Sequence, residues 1–221
     1  MGTVDILLRL VQSLGVTIRL TLISLFFATI LGLIFCFMNI SRNRVLKIIS
    51  NAYLDIIRGT PLLVQAFFIY FGIPQALGIR FSPDMAGIIT LSLNAGAYMA
   101  EIFRGGINAV SSGQMEAARS LGLPYGRAMI KVVLPQAVRI IIPSLVNQFI
   151  ITLKDTSILS VIGIRELTQT GKLIIAVNFE SFKVWAMVAL MYLVIIKILS
   201  VLSKRIEKGL TYGKSRSKAA S

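Results

Sequence analysis

The sequence predicts an all-α membrane protein with five transmembrane helices. Of its 221 residues, 56% are hydrophobic and only 14% are charged, whereas soluble domains carry about 25% charged residues. The mean hydropathy is +0.81. Crossing a hydrocarbon core takes roughly 20 helical residues. The apolar stretches of suitable length are residues 16–38, 62–77, 85–107, 140–162 and 184–202.

Residues 1–15, ahead of the first span, have the pattern of an amphipathic helix. Apolar side chains recur on one helical face and polar ones on the other. The apolar positions are Ile6, Leu7, Leu10, Val11 and Leu14. We therefore expect an interfacial helix that lies on the outer leaflet.

The distribution of basic residues predicts the orientation of the spans. The chain carries 23 Lys and Arg against 9 Asp and Glu, a net charge of +14. Such an excess also occurs in nucleic-acid-binding proteins. Here the bases concentrate between spans one and two, between spans three and four, and after span five. With five spans these regions share one side, and the positive-inside rule makes that side the cytoplasm. We expect the N-terminus outside and no nucleic-acid partner.

The organisation of the chain is one transmembrane domain, residues 1–208, and a basic tail, residues 209–221, expected to be disordered. The tail sequence GLTYGKS, residues 209–215, is one residue shorter than a G-x-x-x-x-G-K-[ST] phosphate loop. The chain has no histidine, which excludes HExxH zinc sites and Ser-His-Asp triads. We predict no catalytic residue, no metal site and no energy source in this chain.

The connection between spans three and four is short, charged and punctuated by glycine: GQMEAARSLGLPYGRAMIKVVLPQ, residues 113–136. Residues 111–113 can cap a helix, Gly122 can end it, and Pro124 prevents its continuation. We predict a short cytoplasmic helix over residues 112–123. Its apolar side carries Met115, Ala118 and Leu121. From these residues alone, insertion into a groove of another protein and rest at the lipid interface are equally open.

Polar residues inside the predicted spans indicate substrate handling, because they are costly in a membrane. Asn94, Tyr98 and Glu101 share a face of span three at spacings i, i+4 and i+7. Lys154 and Asp155 interrupt span four. Gln65 follows the break at residues 59–61, where freed backbone groups can face a cavity. The predicted substrate-binding residues are Thr60, Gln65, Asn94, Tyr98, Glu101, Lys154 and Asp155.

The charges in this set suit a zwitterion. Lys154 could face a carboxylate, and Asp155 or Glu101 could face an ammonium group. The carboxylate left over favours a cationic amino acid, namely arginine, histidine or lysine, over glutamine or glutamate.

Each of these residues also has a structural interpretation. Lys154 and Asp155 could neutralise one another or lie at the outer interface, and Glu101 could pair with Arg104. The two amide residues could join helices by hydrogen bonds, and the tyrosine could serve packing. The small residues of spans one and three are interpreted as close-packing positions; they are Ala28, Gly32, Gly96 and Ala100.

The connecting segment resembles a known motif. Glu116-Ala117-Ala118, three residues, Gly122, nine residues and then VVLP at 132–135 resemble the EAA motif of the membrane-spanning permease subunits of bacterial ABC importers. Valine stands where that motif has isoleucine. Residues 58–74, 92–107 and 154–168 are similar to the polar amino acid subfamily of those permeases, which includes histidine, arginine, glutamine and glutamate systems.

The resemblance implies a coupling helix over residues 112–123 that docks onto a cytoplasmic ATPase subunit. The residues assigned to coupling are Met115, Glu116, Ala117, Ala118, Leu121 and Gly122. It also implies that the partner ATPase binds ATP and Mg, so this chain is not an enzyme and holds no cofactor. Further implied partners are a second permease subunit, identical or not, and an extracytoplasmic binding protein that delivers the small-molecule amino acid. The chain would be a multi-pass protein, surrounded by lipid, of the bacterial cytoplasmic membrane.

Two other function classes remain at this point. An ion-coupled carrier or channel could use Lys154, Asp155 and Glu101 as a relay and would transport without an ATPase. A structural or assembly subunit would tolerate neutralisation of these charges.

Overall fold

The computed structural model describes the backbone of residues 2–218 and the side chains of residues 2–205, and this part of the chain is helical without strands. The α-helices are α1 Thr3–Ile40, α2 Arg44–Gly59, α3 Leu62–Phe67, α4 Ile73–Leu77, α5 Pro83–Asn108, α6 Ser112–Ser120, α7 Tyr125–Ala128, α8 Leu134–Asp155, α9 Leu167–Asn178 and α10 Ser181–Lys218. π-helical turns Phe68–Gly72 and Met129–Val133 join α3 to α4 and α7 to α8, and the 3₁₀-helix Thr156–Ile162 follows α8.

Four of the five predicted spans are present as single helical stretches, and the second, residues 62–77, is present only as part of a broken span. Four helical stretches are long and apolar enough to cross a membrane: Thr3–Ile40, Pro83–Asn108, Tyr125–Ile162 and Ser181–Arg205. A fifth arises if Arg44–Gly59 and Leu62–Leu77, which meet at a bend of 105°, count as one broken span. The predicted tail is residues 209–221. The structure describes no side chains in it, and residues 219–221 lie outside the described part of the chain. Its disorder stays a prediction.

The prediction of a separate interfacial helix before span one is wrong. α1 is one helix of 38 residues, about 57 Å long at 1.5 Å per residue. Ile6 and Leu10 are fully buried and belong to a core cluster with Leu167, Ile174 and Val184 of α9 and α10. The apolar face of residues 1–15 therefore packs on protein at these two positions, because helices distant in sequence cover it.

Three α-helices were not predicted, namely α2, α9 and the four-residue helix α7. Asn43 caps α2 by accepting a hydrogen bond from the N–H of Val45 (2.9 Å). α2 is strongly amphipathic and buries only Ser50 and Leu54. Hydropathy windows detect helices that span a membrane, so short helices with one polar face escape them.

Two π-helical turns share a cause. Each ends two residues before a proline, Pro74 or Pro135. Because proline has no N–H, the carbonyl four residues earlier loses its α-helical donor. The chain widens instead, and in the first turn the N–H of Ile73 bonds to the carbonyl of Phe68, five residues back. The second wide turn lies between α6 and the membrane-spanning part of α8.

The packing of α1 against α5 depends on small residues. A Cβ atom on Gly32 would lie 2.8 Å from the Cβ of Met99, and one on Gly96 would lie 3.0 Å from the Cβ of Leu31. The first distance is shorter than real Cβ atoms show and the second is tighter than most real Cβ contacts, so the close approach of the two helices depends on the missing side chains at these positions. Ala28 and Ala100 are also buried. The interpretation of these four residues as close-packing positions is confirmed.

Candidate substrate and coupling sites

Three predicted substrate residues meet at the bend between α2 and α3. The side-chain amide nitrogen of Gln65 lies 2.7 Å from the carbonyl oxygen of Ile57 and 3.0 Å from both the carbonyl and the hydroxyl oxygen of Thr60. Asn94 of α5 donates to the amide oxygen of Gln65 (3.2 Å). Gln65 and Asn94 are buried. The network fastens the broken span to α5, as the structural interpretation of the two amides requires.

Two further predicted residues lie on the same face of α5. Glu101 accepts a bond of 2.6 Å from Arg104, and a second cation, Arg58 at the end of α2, comes within 3.8 Å. The Arg58 guanidinium also lies 5.7 Å from the ring centroid of Tyr98, within cation–π range. The charge of Glu101 is therefore balanced within the chain. The i+3 pairing was foreseen, whereas the contact with Arg58 was not.

The remaining predicted pair, Lys154 and Asp155, ends α8. Lys154 is exposed and Asp155 is half-buried, and neither forms an ion pair among the residues that the structure describes. Lys154 and Asp155 thus form no salt bridge with each other. The Ser157 hydroxyl donates to the Lys154 carbonyl (2.7 Å), which helps to tighten the chain into the 3₁₀-helix. Because α3 packs against both α5 and this 3₁₀-helix, the bend network and the charged pair flank the same short helix.

A buried carboxylate was missed by the sequence analysis. Glu166 is 0% exposed and caps α9, accepting hydrogen bonds from the N–H groups of Thr168 (2.9 Å) and Gln169 (2.7 Å) and from the hydroxyl of Tyr192 on α10 (3.0 Å). Burial raises the pKa of Glu166 above its usual range, although these hydrogen bonds oppose the shift. Its only sequence signal was an acidic residue just before a helix, a position suited to capping.

α6 coincides with the helix predicted over residues 112–123. Gly122, at φ 82°, ends it, and the N–H of Leu123 bonds to the carbonyl of Ala118 (3.2 Å) while the N–H of Gly122 bonds to that of Arg119 (3.0 Å). This is a Schellman motif, which needs a residue tolerant of positive φ. The predicted role of Gly122 as the helix terminator is confirmed.

The surface of α6 is largely open. Glu116 and Ala117 are exposed, Leu121 is 84% exposed, and Met115 is half-buried. Ala118 is the buried residue of the helix. A side-chain bond of 3.2 Å from Gln136 to Gln114 also ties α6 to α8. Such a helix presents small residues and an apolar knob, the arrangement that fits a groove on a partner.

Comparisons with known proteins agree over nearly the whole chain. A family described as "Binding-protein-dependent transport system inner membrane component" matches residues 14–212. The putative glutamine transport system permease protein GlnP of Rickettsia felis is 38% identical over 202 residues, which cover 91% of this chain and 93% of the relative. The glutamine transport system permease protein GlnP of Escherichia coli K12 is 38% identical over 200 residues, which cover 90% and 91%.

Solved structures share the fold. A crystal structure of an amino acid ABC transporter with histidines has a chain that superposes with a TM-score of 0.87 at 38% identity, covering 90% of this chain and 93% of that one. The MetNI methionine ABC transporter in an inward-facing conformation superposes with a TM-score of 0.81 at 19% identity, covering 95% and 99%. At that identity the second likeness concerns the fold alone.

Proposed function

This chain belongs to the family of binding-protein-dependent transport system inner membrane components, and on that premise we propose how it works. It is the permease subunit of an amino acid ABC importer and a multi-pass protein of the bacterial cytoplasmic membrane. Its homologues are transmembrane permeases, as distinct from the subunits that hydrolyse ATP. The finer assignments below concern orientation, coupling, partners and substrate.

Coupling runs through α6 to a cytoplasmic ATPase subunit. The observation that carries this proposal is the exposure of Glu116, Ala117 and Leu121 on a helix that ends at Gly122 in a Schellman motif. Glu116 meets a basic residue of the ATPase, and Leu121 enters its groove. The N-terminus lies outside, as the charge distribution favours.

Transport proceeds by alternating access within residues 1–208. Two permease subunits enclose the path, an ATPase under each binds ATP and Mg, and an extracytoplasmic binding protein delivers the amino acid. Closure of the ATPases moves α6, and the π-helical turn Met129–Val133 lies between α6 and α8, where that movement enters the membrane. The chain itself holds no cofactor.

The substrate is a polar amino acid, with glutamine the first candidate. The preference for a cationic substrate depended on a spare carboxylate, and Glu101 is engaged by Arg104 and Arg58. Relatives at 38% identity are named as glutamine permeases. Lys154 faces the substrate carboxylate and Asp155 its ammonium group, while the bend network shapes the wall of the path.

A cationic substrate is the second candidate. Asp155 forms no ion pair among the described residues, so its charge is available to a basic side chain. The solved transporter of similar sequence is described with histidines. Arginine, histidine and lysine therefore belong in the same test as glutamine.

The test is ATPase stimulation in the complete complex, reconstituted with its binding protein and offered each amino acid in turn. Glutamine should stimulate hydrolysis, and Asp155→Asn should reduce that response while the matched exposed variant Asp84→Asn does not. A response confined to arginine, histidine and lysine would contradict the glutamine assignment. Uptake of labelled glutamine by the permease reconstituted without any ATPase would contradict the importer mechanism and favour an ion-coupled carrier.

A further inference from the structure

A cavity of about 670 Å³ lies between the start of α1 and α9, apart from the substrate and coupling residues. Its polar rim includes Arg9 and Gln12 from α1, Thr170 from α9, and Arg165 from the segment before α9. Neither arginine takes part in an ion pair within the described part of the chain, whereas Arg19, farther along α1, pairs with Asp84 at 2.9 Å.

The charge of this rim is uniformly positive. No Asp or Glu is among the nine lining residues. The acid next to Arg165 in sequence, Glu166, is buried and its oxygens accept bonds from α9 and from Tyr192. Two guanidinium groups at one cavity therefore favour the binding of an anion. Their planar arrays of N–H donors match the oxygens of a phosphate in particular.

Apart from Ser13, the remaining lining residues of the cavity are apolar. Val16, Leu173 and Val177 contribute to the lining, and Val177 is 74% exposed. The ligand that fits such a cavity has an anionic end and a hydrocarbon part. A free inorganic anion would leave these apolar walls unused.

The predicted start of the first span puts the cavity near the level of lipid headgroups. Val16 is the first residue of the predicted first span, and Arg9 precedes it by about 10 Å of helix. α9 lies between the candidate spans that end at Ile162 and begin at Ser181. The arginines thus lie at the membrane surface and the valine at the edge of the hydrocarbon, whichever side of the membrane this end faces.

We propose that this cavity binds an anionic phospholipid, with the phosphate between Arg9 and Arg165 and the start of an acyl chain along Val16, Leu173 and Val177. The bound lipid joins α1 to α9, and both helices also share the buried cluster around Ile6 with α10. The proposal is independent of the transported substrate. An acidic protein surface would satisfy the arginines but would not use the hydrocarbon-facing walls, so lipid is the ligand that matches both halves.

The experiment is native mass spectrometry of the intact transporter complex in detergent, supplied with phosphatidylglycerol or with phosphatidylethanolamine of the same acyl chains. The wild type should retain phosphatidylglycerol preferentially. The double variant Arg9→Gln, Arg165→Gln should retain it about tenfold less well, on the scale of attraction between basic side chains and anionic lipid. Arg80→Gln removes a base from an exposed loop that does not line the cavity and should change nothing.

Further variants keep the proposal testable if the double variant folds poorly. Arg9→Lys with Arg165→Lys should keep most of the retention, and Leu173→Trp should reduce it by filling the apolar side. Equal retention of both lipids by the wild type, or equal loss in Arg80→Gln, would overturn the proposal. So would competition by glycerol 1-phosphate as strong as that by lipid, which indicates a free-anion site. Loss of delivery by the binding protein in the double variant, with retention of phosphatidylglycerol unchanged, would assign the arginines to protein docking and overturn the proposal.

Discussion

Helices α6 and α9 each depend on one acidic residue, Glu116 in the middle of α6 and Glu166 at the N-cap of α9, yet these two residues are held in opposite ways. Glu166 is buried and bonded to α9 and α10, and the N–H of Leu167 donates to the hydroxyl of Thr17 on α1 (3.2 Å). Glu116 is exposed, and Ala118 is the buried residue of α6. Glu166 therefore joins α9 to α10, with α1 held beside it through Leu167, whereas Glu116 lies open at the surface.

This difference indicates that Glu166 serves folding stability and that Glu116 does not. A buried carboxylate with several donors contributes to folding stability, because its removal leaves buried N–H groups without partners. An exposed acid on a surface helix contributes little to stability. Variants in α6 should therefore affect coupling without affecting folding, and variants at Glu166 should do the reverse.

The largest expected effect comes from Met115→Pro in α6. Proline inside a helix costs about 3 kcal/mol, which a nine-residue helix cannot absorb, so the docking surface should be lost. We expect ATP hydrolysis to become uncoupled from transport while membrane insertion and the thermal unfolding midpoint stay at wild-type values. ATPase and uptake assays on one reconstituted preparation measure this.

Met115→Leu is the matched control, because it keeps helix propensity and apolar volume. It should couple normally. Normal coupling in Met115→Pro as well would show that α6 is not the docking element and would remove the basis of the comparison.

The second-largest expected effect is on folding stability, at the buried residue Glu166. Glu166→Ala leaves the N–H groups of Thr168 and Gln169 without their acceptors and should lower the free energy of unfolding by about 2 kcal/mol. Chemical or thermal denaturation in detergent measures the loss. Uptake per folded molecule should remain. Glu180→Ala removes an exposed acid paired with Lys183 and should cost less than about 0.5 kcal/mol; a similar loss in both variants would contradict the special role of the buried carboxylate.

A smaller effect returns to α6. Gly122→Ala places a side chain at φ 82°, which costs about 1 kcal/mol, so the Schellman end should fray and coupling efficiency should fall only in part. Gly126→Ala is the matched control, since nothing lies within 4 Å of its added Cβ and its φ is not positive. The ratio of substrate transported to ATP hydrolysed distinguishes the two, and equal ratios would show that the helix end is not strained by alanine.

The sequence predicted the spans well because hydropathy is a local property. It could not predict how α1 begins, since the cover for Ile6 and Leu10 comes from α9 and α10. It also missed α2 and α9, whose helical character depends on amphipathic faces and caps such as Asn43. The first failure comes from contacts between segments distant in sequence, and the second from the use of hydropathy windows, which do not detect caps or short amphipathic helices.

The candidate sites show the same division. The spacing of Asn94, Tyr98 and Glu101 correctly placed them on one face of α5, and Gly122 was correctly predicted to end α6. The partners that change the chemistry were not visible, because Arg58 reaches Glu101 across the bend and Tyr192 reaches Glu166 from another helix. Local rules find the residues, and tertiary packing decides whether their charges are free.

The smallest expected effect is the contribution of Glu166 to the pH dependence of folding stability, which Glu166→Gln tests. Glutamine keeps the size of the side chain and one carbonyl oxygen, so most of the cap survives. Because burial raises the pKa of Glu166 above 4.5, the folded protein holds this proton more tightly than the unfolded chain. The resulting stabilisation is complete below the unfolded pKa and is lost as the pH rises through the folded pKa.

Glutamine cannot titrate, so the variant should lack this contribution to the slope of stability against pH. Thermal midpoints of both proteins from about pH 4 to about pH 8 measure it, and the wild-type midpoint should fall relative to that of Glu166→Gln as the pH rises. Parallel curves would show that folding does not change the pKa of Glu166, and a relative rise of the wild-type midpoint would show that its three donors hold the carboxylate ionised.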